Sequence, residues 1–435
     1  MPVRKVINVG LIGFGTVGSG VHHLIARNGA VLGQRTDLDI RIKTVCDLDI
    51  TRVKERAPGV TVVADWKSVV ADPEIHTVVE LIGGLDPAES IIVESLSAGK
   101  NVVTANKKLL AERGERIFAL ANGGKASLGF EAAVGGGIPC IAALKSGLVG
   151  NRILSVMGIL NGTTNYILSR MQEESLSFEA ALADAQAKGF AEADPTFDIE
   201  GYDAGHKIAI LSMIAFNKKI DYTAISIEGI TRIGALDIEY AREMGYRIKL
   251  LGIGKRAGDR VDIRVHPTML PLRHPLASVQ NEFNAVMITG DMTGPVTLTG
   301  KGAGSHPTAS AVVSDIVRIA QRPASSAGAI RFDGDASYVP PGERLSRYYM
   351  RVHTEDSPGI LAKIAGVLAA YGISIASVIQ KESDMPHVPL VIMTHEAHEE
   401  GLLTAVKKIN AFDFVEGDAT VIRVEDYVSD GADHE

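Results

Sequence analysis

Two charged side chains four residues apart could carry out proton transfer in this chain. Asp203 and Lys207 lie in a stretch where apolar residues recur at helical spacing, so both should project from one face of a helix. A lysine that transfers a proton needs a nearby carboxylate to orient it. An ordinary surface ion pair would also explain the spacing. Three more acids just upstream favour a cationic ligand such as a substrate ammonium: Glu192, Asp194 and Asp198.

A glycine-rich motif near the N-terminus predicts a dinucleotide site. An apolar strand at 6–12 runs into Gly13-Phe14-Gly15-Thr16-Val17-Gly18, and a helix is predicted at 17–27. Such glycines allow a tight turn and the close approach of a pyrophosphate to a helix N-terminus. Asp47, which ends the second predicted strand, should accept ribose hydroxyls and favour NAD. Arg52 and Lys54 could receive a 2′-phosphate or simply be solvated, so NADP stays open.

Strands and helices alternate through about the first 130 residues, which predicts a Rossmann-type, doubly wound parallel sheet. Ligands lie at the carboxyl ends of the strands in such sheets. Thr104 and Lys107 follow the strand predicted at 101–104, and Lys107 could lie over a nicotinamide or merely begin a helix. Glu131 ends another strand, before a glycine-rich turn. A carboxylate with several carbonyls suits a hard or monovalent cation, and a plain hinge fits the turn equally well.

After about residue 148 the pattern indicates an α+β domain with a second, mixed sheet. A helix N-cap is predicted at Thr163 or Thr164 in the motif NGTTN, because a threonine hydroxyl suits that position. The glycine loop at 300–307 precedes a helix predicted at 309–321. We interpret this helix as the return of the chain to the nucleotide-binding domain, with the loop over the cofactor. A tight turn without a ligand is an equal alternative.

The sequence pattern of the C-terminal part predicts a separate ferredoxin-like βαββαβ unit. Residues 322–346 are rich in Pro, Gly and Ser, which is typical of a flexible linker. In Asp356-Ser357-Pro358-Gly359 the proline suits the first position of the next helix. The predicted domains are a nucleotide-binding domain (1–133, completed by 305–321), a catalytic and dimerisation domain (134–304), the linker (322–346) and the C-terminal unit (347–428).

Composition points to a cytoplasmic enzyme. The formal net charge of −8 argues against nucleic acid or a membrane as the main partner. The two cysteines, Cys46 and Cys140, fit a reducing compartment without disulfides. No apolar run reaches the ~18–20 residues of a membrane helix, and no signal segment is expected.

Together the motifs resemble homoserine dehydrogenase in its long form with a C-terminal ACT domain. The resemblance covers nearly the whole chain. It rests on GFGTVG at 13–18, TANK at 104–107, EAAVGGGIP at 131–139, NGTTNYIL at 161–168, GFAEADPTFDIEGYDAGHKIAIL at 189–211, GKGAGSHPTA at 300–309 and EDSPGILAKIAGVLAAYGISI at 355–375. The third, fourth and fifth motifs are specific in combination, whereas many dehydrogenases share the first.

The resemblance implies interconversion of L-aspartate 4-semialdehyde and L-homoserine with NAD(P). It implies that Lys207 protonates the aldehyde oxygen and that Lys107 is a second cation near the nicotinamide and the substrate. By the same resemblance, Glu192 and Asp203 bind the amino acid with support from Asp198. The predicted cofactor-binding residues are Gly13, Phe14, Gly15, Thr16, Val17, Gly18, Asp47, Thr104, Lys107, Gly189 and Gly302. The family's sodium (Na+) site would match Glu131, Val134, Gly136 and Ile138.

The same resemblance implies regulation and assembly. L-threonine is the implied effector, at Asp356, Gly359 and Ile360, although Ser374 stands where many effector-binding ACT domains have asparagine. A homodimer or homotetramer is expected. Two alternatives remain at this point. An aspartate-semialdehyde dehydrogenase would need a cysteine nucleophile, and an amino-acid-sensing regulator would have lost the chemistry of the first domain.

Overall fold

The structure, a computed structural model, describes residues 4–123, 126–321, 330–381 and 385–426. The chain divides into two compact units. The first comprises Met1–Gly162, Gly205–Ile225 and Phe283–Ala336, and the second comprises Thr163–Ala204, Ser226–Glu282 and Ser337–Glu435. Within the described ranges, no helix is both long enough and apolar enough to span a membrane.

The strands and helices follow one another along the chain with these bounds. The strands are β1 Lys5–Ile12, β2 Leu38–Cys46, β3 Thr61–Val63, β4 Thr77–Glu80, β5 Asn101–Thr104, β6 Leu128–Gly129, β7 Ile153–Ile159, β8 Ser226–Ile227, β9 Tyr246–Ala257, β10 Arg260–Pro271, β11 Phe283–Gly290, β12 Gly294–Lys301, β13 Ser337–Tyr338, β14 Leu345–Glu355, β15 Ile375–Gln380, β16 His387–Thr394, β17 Ala397–His398 and β18 Val415–Val424. The α-helices are α1 Thr16–Thr36, α2 Ile50–Arg56, α3 Trp66–Ala71, α4 Ala88–Ser97, α5 Lys107–Gly123, α6 Cys140–Ala142, α7 Gly162–Glu174, α8 Phe178–Ala187, α9 Thr196–Ile199, α10 Tyr202–Phe216, α11 Ala235–Glu243, α12 Ser305–Gln321, α13 Ile360–Ala370 and α14 Glu399–Asn410.

The first unit contains a parallel sheet with the strand order β3-β2-β1-β4-β5-β6. This is the doubly wound order in which the direction of winding reverses beside β1, so the predicted Rossmann fold is confirmed. Residues from β1 and α12, such as Leu11 and Val312, share one buried apolar cluster. The hydroxyl of Ser305 at the start of α12 donates to the carbonyl of Thr16 in α1 (2.7 Å). Helix α12 therefore packs against α1, the helix that follows the glycine-rich loop.

Helix α1 is longer than the sequence predicted. It continues past residue 27 to Thr36 and ends at Asp37, which takes a left-handed φ of 56°. The predicted end at residue 27 was wrong because Leu32 and the buried Gly33 keep one face of the helix packed against the rest of the first unit. The first unit also contains β12, β11 and β7, which pair in antiparallel fashion.

The second unit contains a mixed sheet in the order β9-β10-β18-β14-β16-β15. Its last four strands, with α13 and α14, form the predicted βαββαβ unit around a shared apolar core. Strand β18 also pairs in parallel with β10, Thr268 opposite Arg423 and Met269 opposite Val424. The C-terminal domain is therefore joined to β10 by backbone hydrogen bonding.

Two local predictions differ from the structure. Helix α7 begins at Gly162, so Thr163 and Thr164 lie inside its first turn and neither is the N-cap. Helix α13 begins at Ile360, after Gly359 with a φ of +91°, so Pro358 precedes the helix. A left-handed residue cannot belong to a right-handed helix, and this places the boundary after Gly359.

The described part of the predicted linker, residues 330–346, is bound to its surroundings. In the first unit, the N–H of Asp333 donates to the carbonyl of Asn217 (2.7 Å). In the second, β13 pairs with the start of β10, and the N–H of Val339 donates to the carbonyl of Val261 (2.9 Å). The composition suggested flexibility, but these backbone hydrogen bonds fix the segment. Residues 322–329 lie outside the described ranges.

Candidate active site

The glycine-rich loop between β1 and α1 has the form of a phosphate cradle. A Cβ atom at Gly18 would collide with the carbonyl oxygen of Gly13, so close packing requires glycine there. At Gly15, by contrast, a Cβ would meet no heavy atom within 4 Å. The loop therefore leaves open space where the N-terminus of α1 can meet an anion. This arrangement fits the pyrophosphate of a dinucleotide.

Asp47 holds this loop in place. One of its carboxylate oxygens accepts the N–H of Phe14 (2.6 Å), and the other accepts the N–H of Asp49 (2.9 Å) and the Nη2 of Arg52 (3.1 Å). Phe14 is 1% exposed and its side chain packs in the core of the first unit. Asp47 thus orients Arg52 as well as the backbone of the glycine-rich loop.

The carboxyl ends of β4 and β5 carry a polar cluster that the sequence did not single out. The buried Glu80 accepts the hydroxyl of Thr104 (2.6 Å) and the N–H groups of Ile82 (2.9 Å) and Gly83 (3.1 Å). The side-chain oxygen of Asn106 caps α5 by accepting the N–H of Leu109 (3.1 Å). Glu80 was missed because it stands in an apolar run, residues 78–82, that is typical of a buried strand. Its carboxylate instead fixes the two loops that follow the central strands.

Lys107 is the first residue of α5 and is half-buried. A cation is unfavourable at the N-terminus of a helix, since the helix dipole is positive there. The structure places this lysine at the carboxyl edge of the sheet, where ligands bind in such folds.

Lys207 and Asp203 both lie on α10, one turn apart. Lys207 is 7% exposed and Asp203 is 3% exposed, which excludes an ordinary surface ion pair. The Nζ of Lys207 donates to the carbonyl of Leu160 (2.6 Å), directly after β7. This hydrogen bond to a fixed backbone group positions the ammonium.

Both cysteines are unsuited to nucleophilic catalysis. Burial raises the pKa of the Cys46 thiol to about 11, with a further contribution from Asp65 and Asp47. Burial raises the pKa of Cys140 further still, and its thiol donates to the carbonyl of Val134 (3.4 Å). Only a thiolate attacks a carbonyl efficiently. The thioester chemistry of an aspartate-semialdehyde dehydrogenase therefore has no candidate nucleophile here.

The Glu131 carboxylate is already engaged within the protein. Its two oxygens accept the N–H groups of Ile141 and Ala142 (both 2.8 Å), and Arg318 lies 3.4 Å from one of them. Burial raises the pKa of Glu131, and Arg318 opposes that shift. A cation beside this carboxylate would be repelled by Arg318. Of the backbone carbonyls in this turn, that of Val134 accepts the Cys140 thiol and that of Ile138 accepts the Cys140 N–H (2.8 Å).

The acid-rich segment lies in the second unit. Asp198, on the short helix α9, is 2.9 Å from the hydroxyl of Thr163, which also lies 2.7 Å from the carbonyl of Phe190. Glu192 is exposed. Gly189 follows α8 with a φ of +76°, which is the usual reason for glycine after a helix. This backbone conformation is enough to explain why residue 189 is a glycine.

Gly302 and the loop before α12 belong to the first unit. A Cβ at Gly302 would collide with the side chain of the buried Asn284, so packing requires this glycine. The loop ends at Ser305, and a cavity of about 350 Å³ beside it is lined by residues including Phe14, Arg56 and His306. The loop therefore borders an open space next to the start of α1.

The residues predicted to bind an effector lie at the turn before α13. Asp356 accepts the side-chain amide of Gln380 (2.9 Å). A Cβ at Gly359 would meet no heavy atom within 4 Å, whereas Ile360 is buried. The turn is thus open on one side.

Comparison with known protein families gives matches over three segments of the chain. The model for homoserine dehydrogenase matches residues 139–317, and the model for the homoserine dehydrogenase NAD-binding domain matches residues 13–131. The ACT domain model matches residues 348–414. The three matches together follow the order of domains seen in the structure.

Individual proteins are similar over almost the full length. Homoserine dehydrogenase from Neisseria gonorrhoeae is 44% identical, covering 97% of this chain and 99% of that protein. The crystal structure of a homoserine dehydrogenase from Thiobacillus denitrificans superposes with a TM-score of 0.92 at 42% identity, covering 97% of this chain and 99% of that one. A hyperthermophilic archaeal homoserine dehydrogenase solved in complex with NADPH gives a TM-score of 0.62 at 26% identity, covering 73% of this chain and 98% of that one.

Proposed function

This chain belongs to the homoserine dehydrogenase family, and on that premise we propose how its residues perform the reaction. It is an NAD(P)-dependent oxidoreductase that carries an ACT regulatory domain. Reduction of L-aspartate 4-semialdehyde adds a hydride to the carbonyl carbon and a proton to the carbonyl oxygen, which gives L-homoserine. When bound, the reduced nicotinamide supplies the hydride. The protein must supply the proton and stabilise the developing alkoxide.

Lys207 supplies the proton in this proposal. The observation that carries it is a buried ammonium held by the Leu160 carbonyl at 2.6 Å. A hydrogen bond from a cation is about twice as strong as a neutral one, and a preorganised donor needs no reorganisation as charge develops. In the reverse direction the neutral amine of Lys207 accepts the hydroxyl proton of L-homoserine.

The remaining charged residues bind the amino-acid part of the substrate. Glu192, Asp198 and Asp203 supply negative charge for the substrate ammonium. Lys107 lies at the carboxyl edge of the parallel sheet, where its ammonium supplies positive charge near the nicotinamide and the substrate. These roles rest on the family motifs and on the chemistry of the side chains.

An assay of NAD(P)H formation with L-homoserine tests the reaction directly. The protein should reduce NAD+ or NADP+ only when L-homoserine is present. No reduction with either cofactor would favour a regulator without catalysis. Reduction that requires aspartate semialdehyde and inorganic phosphate would favour the thioester route instead.

The choice between NAD and NADP depends on Asp47 and Arg52 in this proposal. Replacing Asp47 with serine should raise kcat/KM with NADP+ relative to NAD+, because it removes a carboxylate near the ribose and releases Arg52 for a 2′-phosphate. Asp47→Asn is the matched control for the conformation of the loop. It removes the negative charge as Asp47→Ser does, but its amide oxygen can still accept the N–H of Phe14. Adding Arg52→Gln to Asp47→Ser should reverse the gain. An unchanged cofactor ratio in Asp47→Ser would assign the choice to another residue.

We place the family's sodium ion at backbone carbonyls rather than at a carboxylate. The proposed ligands are the backbone carbonyls of Glu131, Val134, Gly136 and Ile138, because the guanidinium of Arg318 lies 3.4 Å from the Glu131 carboxylate and would repel a cation there. Exchanging Na+ for choline at constant ionic strength should lower activity or the thermal midpoint. Replacing Glu131 with glutamine should leave that Na+ dependence in place. Loss of the dependence in this variant would show that the carboxylate is a ligand.

Regulation and assembly follow from the ACT domain in this proposal. L-threonine binds at the turn formed by Asp356, Gly359 and Ile360, whose open side leaves room for an amino acid. The chain forms a homodimer or homotetramer. Light scattering gives the assembly state, and calorimetry with L-threonine tests the effector.

A further inference from the structure

A histidine–glutamate pair in the first unit connects the two helices that carry Lys107 and Lys207. His206 on α10 is 2% exposed, and its Nε2 lies 2.9 Å from the Oε1 of Glu112 on α5. Lys107 begins the same α5, and Lys207 is the residue after His206. We propose that His206 and Glu112 are positioning residues that fix the two lysines relative to each other. This inference rests on the proposed roles of both lysines in the reaction.

The part of α5 that carries Lys107 is a short helical segment of its own. Arg113 has a φ of −134° and a ψ of 16°, which lie outside the helical region, so α5 is kinked at this residue. The Arg113 guanidinium binds Glu89 on α4 (3.1 Å). The later part of α5 therefore does not by itself set the direction of residues 107–112.

Side-chain hydrogen bonds hold this segment at both of its ends. Before its first residue, the side-chain amide of Asn106 donates to the carbonyl of Gly84 (2.7 Å). At its last residue, directly before the kink, the Glu112 carboxylate is bound to the imidazole. A helix rises 1.5 Å per residue, so Lys107 lies only about 7.5 Å along the axis from Glu112. A shift of Glu112 would therefore displace Lys107 as well.

The His206 imidazole is held on one face and at one edge. Its ring stacks on Tyr222, with 4.3 Å between the ring centroids and 16° between the ring planes. Tyr222 begins a 3-10 turn that follows α10. The edge is held by Glu112, and because a carboxylate accepts hydrogen bonds, Nε2 carries the hydrogen. A ring restrained in both ways can hold the helix to which it belongs.

The placement of the lysines matters because both act as cations beside the same substrate in the proposed reaction. On α10, the Nζ of Lys207 is also held by the carbonyl of Leu160 (2.6 Å). The pair with Glu112 relates this fixed ammonium to the segment that begins at Lys107. A buried pair that only stabilises the fold is the alternative. The two roles differ in one respect, since a positioning role depends on the presence of the lysine that is positioned.

Glu112→Ala tests the inference, because the Glu112 side chain is 27% exposed and its loss should leave the protein folded. We expect kcat for L-homoserine oxidation to fall roughly ten- to hundredfold, the effect of misplacing a reacting group by about 1 Å. The KM for L-homoserine should change less than kcat. Glu112→Gln should keep most of the wild-type turnover, since its amide oxygen can still accept the Nε2–H.

The matched control is Glu115→Ala on the same helix. The Glu115 side chain is 67% exposed, follows the kink and pairs with Lys219. This variant should keep turnover close to that of the wild type. At the other end of the pair, His206→Gln retains an amide that can donate to Glu112, so it should keep more turnover than His206→Leu.

A double-mutant cycle separates positioning from stability. In a Lys107→Ala background, Glu112→Ala should cost little further turnover, because there is no longer an ammonium at residue 107 to misplace. Equal losses from Glu112→Ala in the wild-type and Lys107→Ala backgrounds would give the pair a purely structural role and overturn the proposal. Wild-type turnover in Glu112→Ala would also overturn it.

The single variant Lys107→Ala distinguishes a failure of the underlying reaction scheme. Wild-type turnover in this variant would contradict the proposed role of Lys107 without any change at Glu112, and the positioning inference would fall with that role. A large loss in Lys107→Ala together with an unaffected Glu112→Ala would leave the reaction scheme in place and overturn the positioning inference alone.

Discussion

Replacing Lys207 with alanine should reduce turnover by at least roughly a hundredfold, the loss typical of removing one preorganised donor to a developing oxyanion. The affinity for NAD(P) should be unchanged, because the proposal gives Lys207 no contact with the cofactor in the ground state. Turnover is measured by NAD(P)H absorbance at saturating L-homoserine. Cofactor affinity is measured by fluorescence titration.

The matched control for this variant is Lys108→Ala, which removes an exposed lysine from the helix that begins at Lys107. It should keep nearly full turnover. If Lys207→Ala retained about a third of wild-type turnover, another group would have to donate the proton. A fall in both variants would point to a general loss of positive charge.

Replacing Asp237 with alanine should lower the free energy of unfolding by roughly 3–5 kcal/mol, the usual cost of leaving a buried charge without its partner. Asp237 is fully buried on α11. It accepts the Nε (2.6 Å) and Nη2 (2.9 Å) of Arg351 and the hydroxyl of Tyr349 (2.9 Å), both on β14. The substitution therefore breaks a main connection between α11 and the ACT domain.

Urea unfolding measures this loss, and Glu239→Ala is the matched control. Glu239 lies on the same helix, but its side chain is 47% exposed and is paired only loosely with Lys381 (3.7 Å). Exposed pairs contribute little, so this control should change stability by less than about 0.5 kcal/mol. Equal losses in the two variants would show that the buried pair with Arg351 does not hold the ACT domain in place.

The connection of the ACT domain to β10 changes what a truncation can show. Removing the chain after Gln321 would separate β18 from β10. It would also leave Arg264, which is buried and lies 3.6 Å from Glu425, without that partner. The regulatory domain is therefore better tested by point variants in the full chain than by deletion.

The sequence predicted the elements whose signal is local. The spacing of Gly13, Gly15 and Gly18 and the alternation of strands and helices were enough for the Rossmann domain, because each depends on neighbouring residues. The helical spacing of Asp203 and Lys207 likewise placed both on α10. The burial of that pair depends on distant parts of the chain, so the sequence left a surface ion pair open.

What the sequence missed depends on contacts between distant residues. The role of Glu80 becomes visible only when β4 is seen to end there, beside Thr104 of the next strand. The environment of Lys249, in the apolar strand β9, also becomes visible only in the structure. Lys249 donates to the side chain of Asn165 (2.8 Å), and burial lowers the pKa of Lys249 to about 7. The pairing of β18 with β10 joins residues more than 150 positions apart, and no local sequence pattern predicts it.

A crystal structure of the protein with NADP+ and L-homoserine would show whether Lys207 is placed to transfer the proton. The distance to measure joins the Nζ of Lys207 to the hydroxyl oxygen of L-homoserine. We expect roughly 2.6–3.2 Å, the range for a proton-transfer contact, with the C–H bond beside that hydroxyl facing the nicotinamide. A hydroxyl bound by another side chain, with Lys207 well beyond hydrogen-bonding distance, would contradict it.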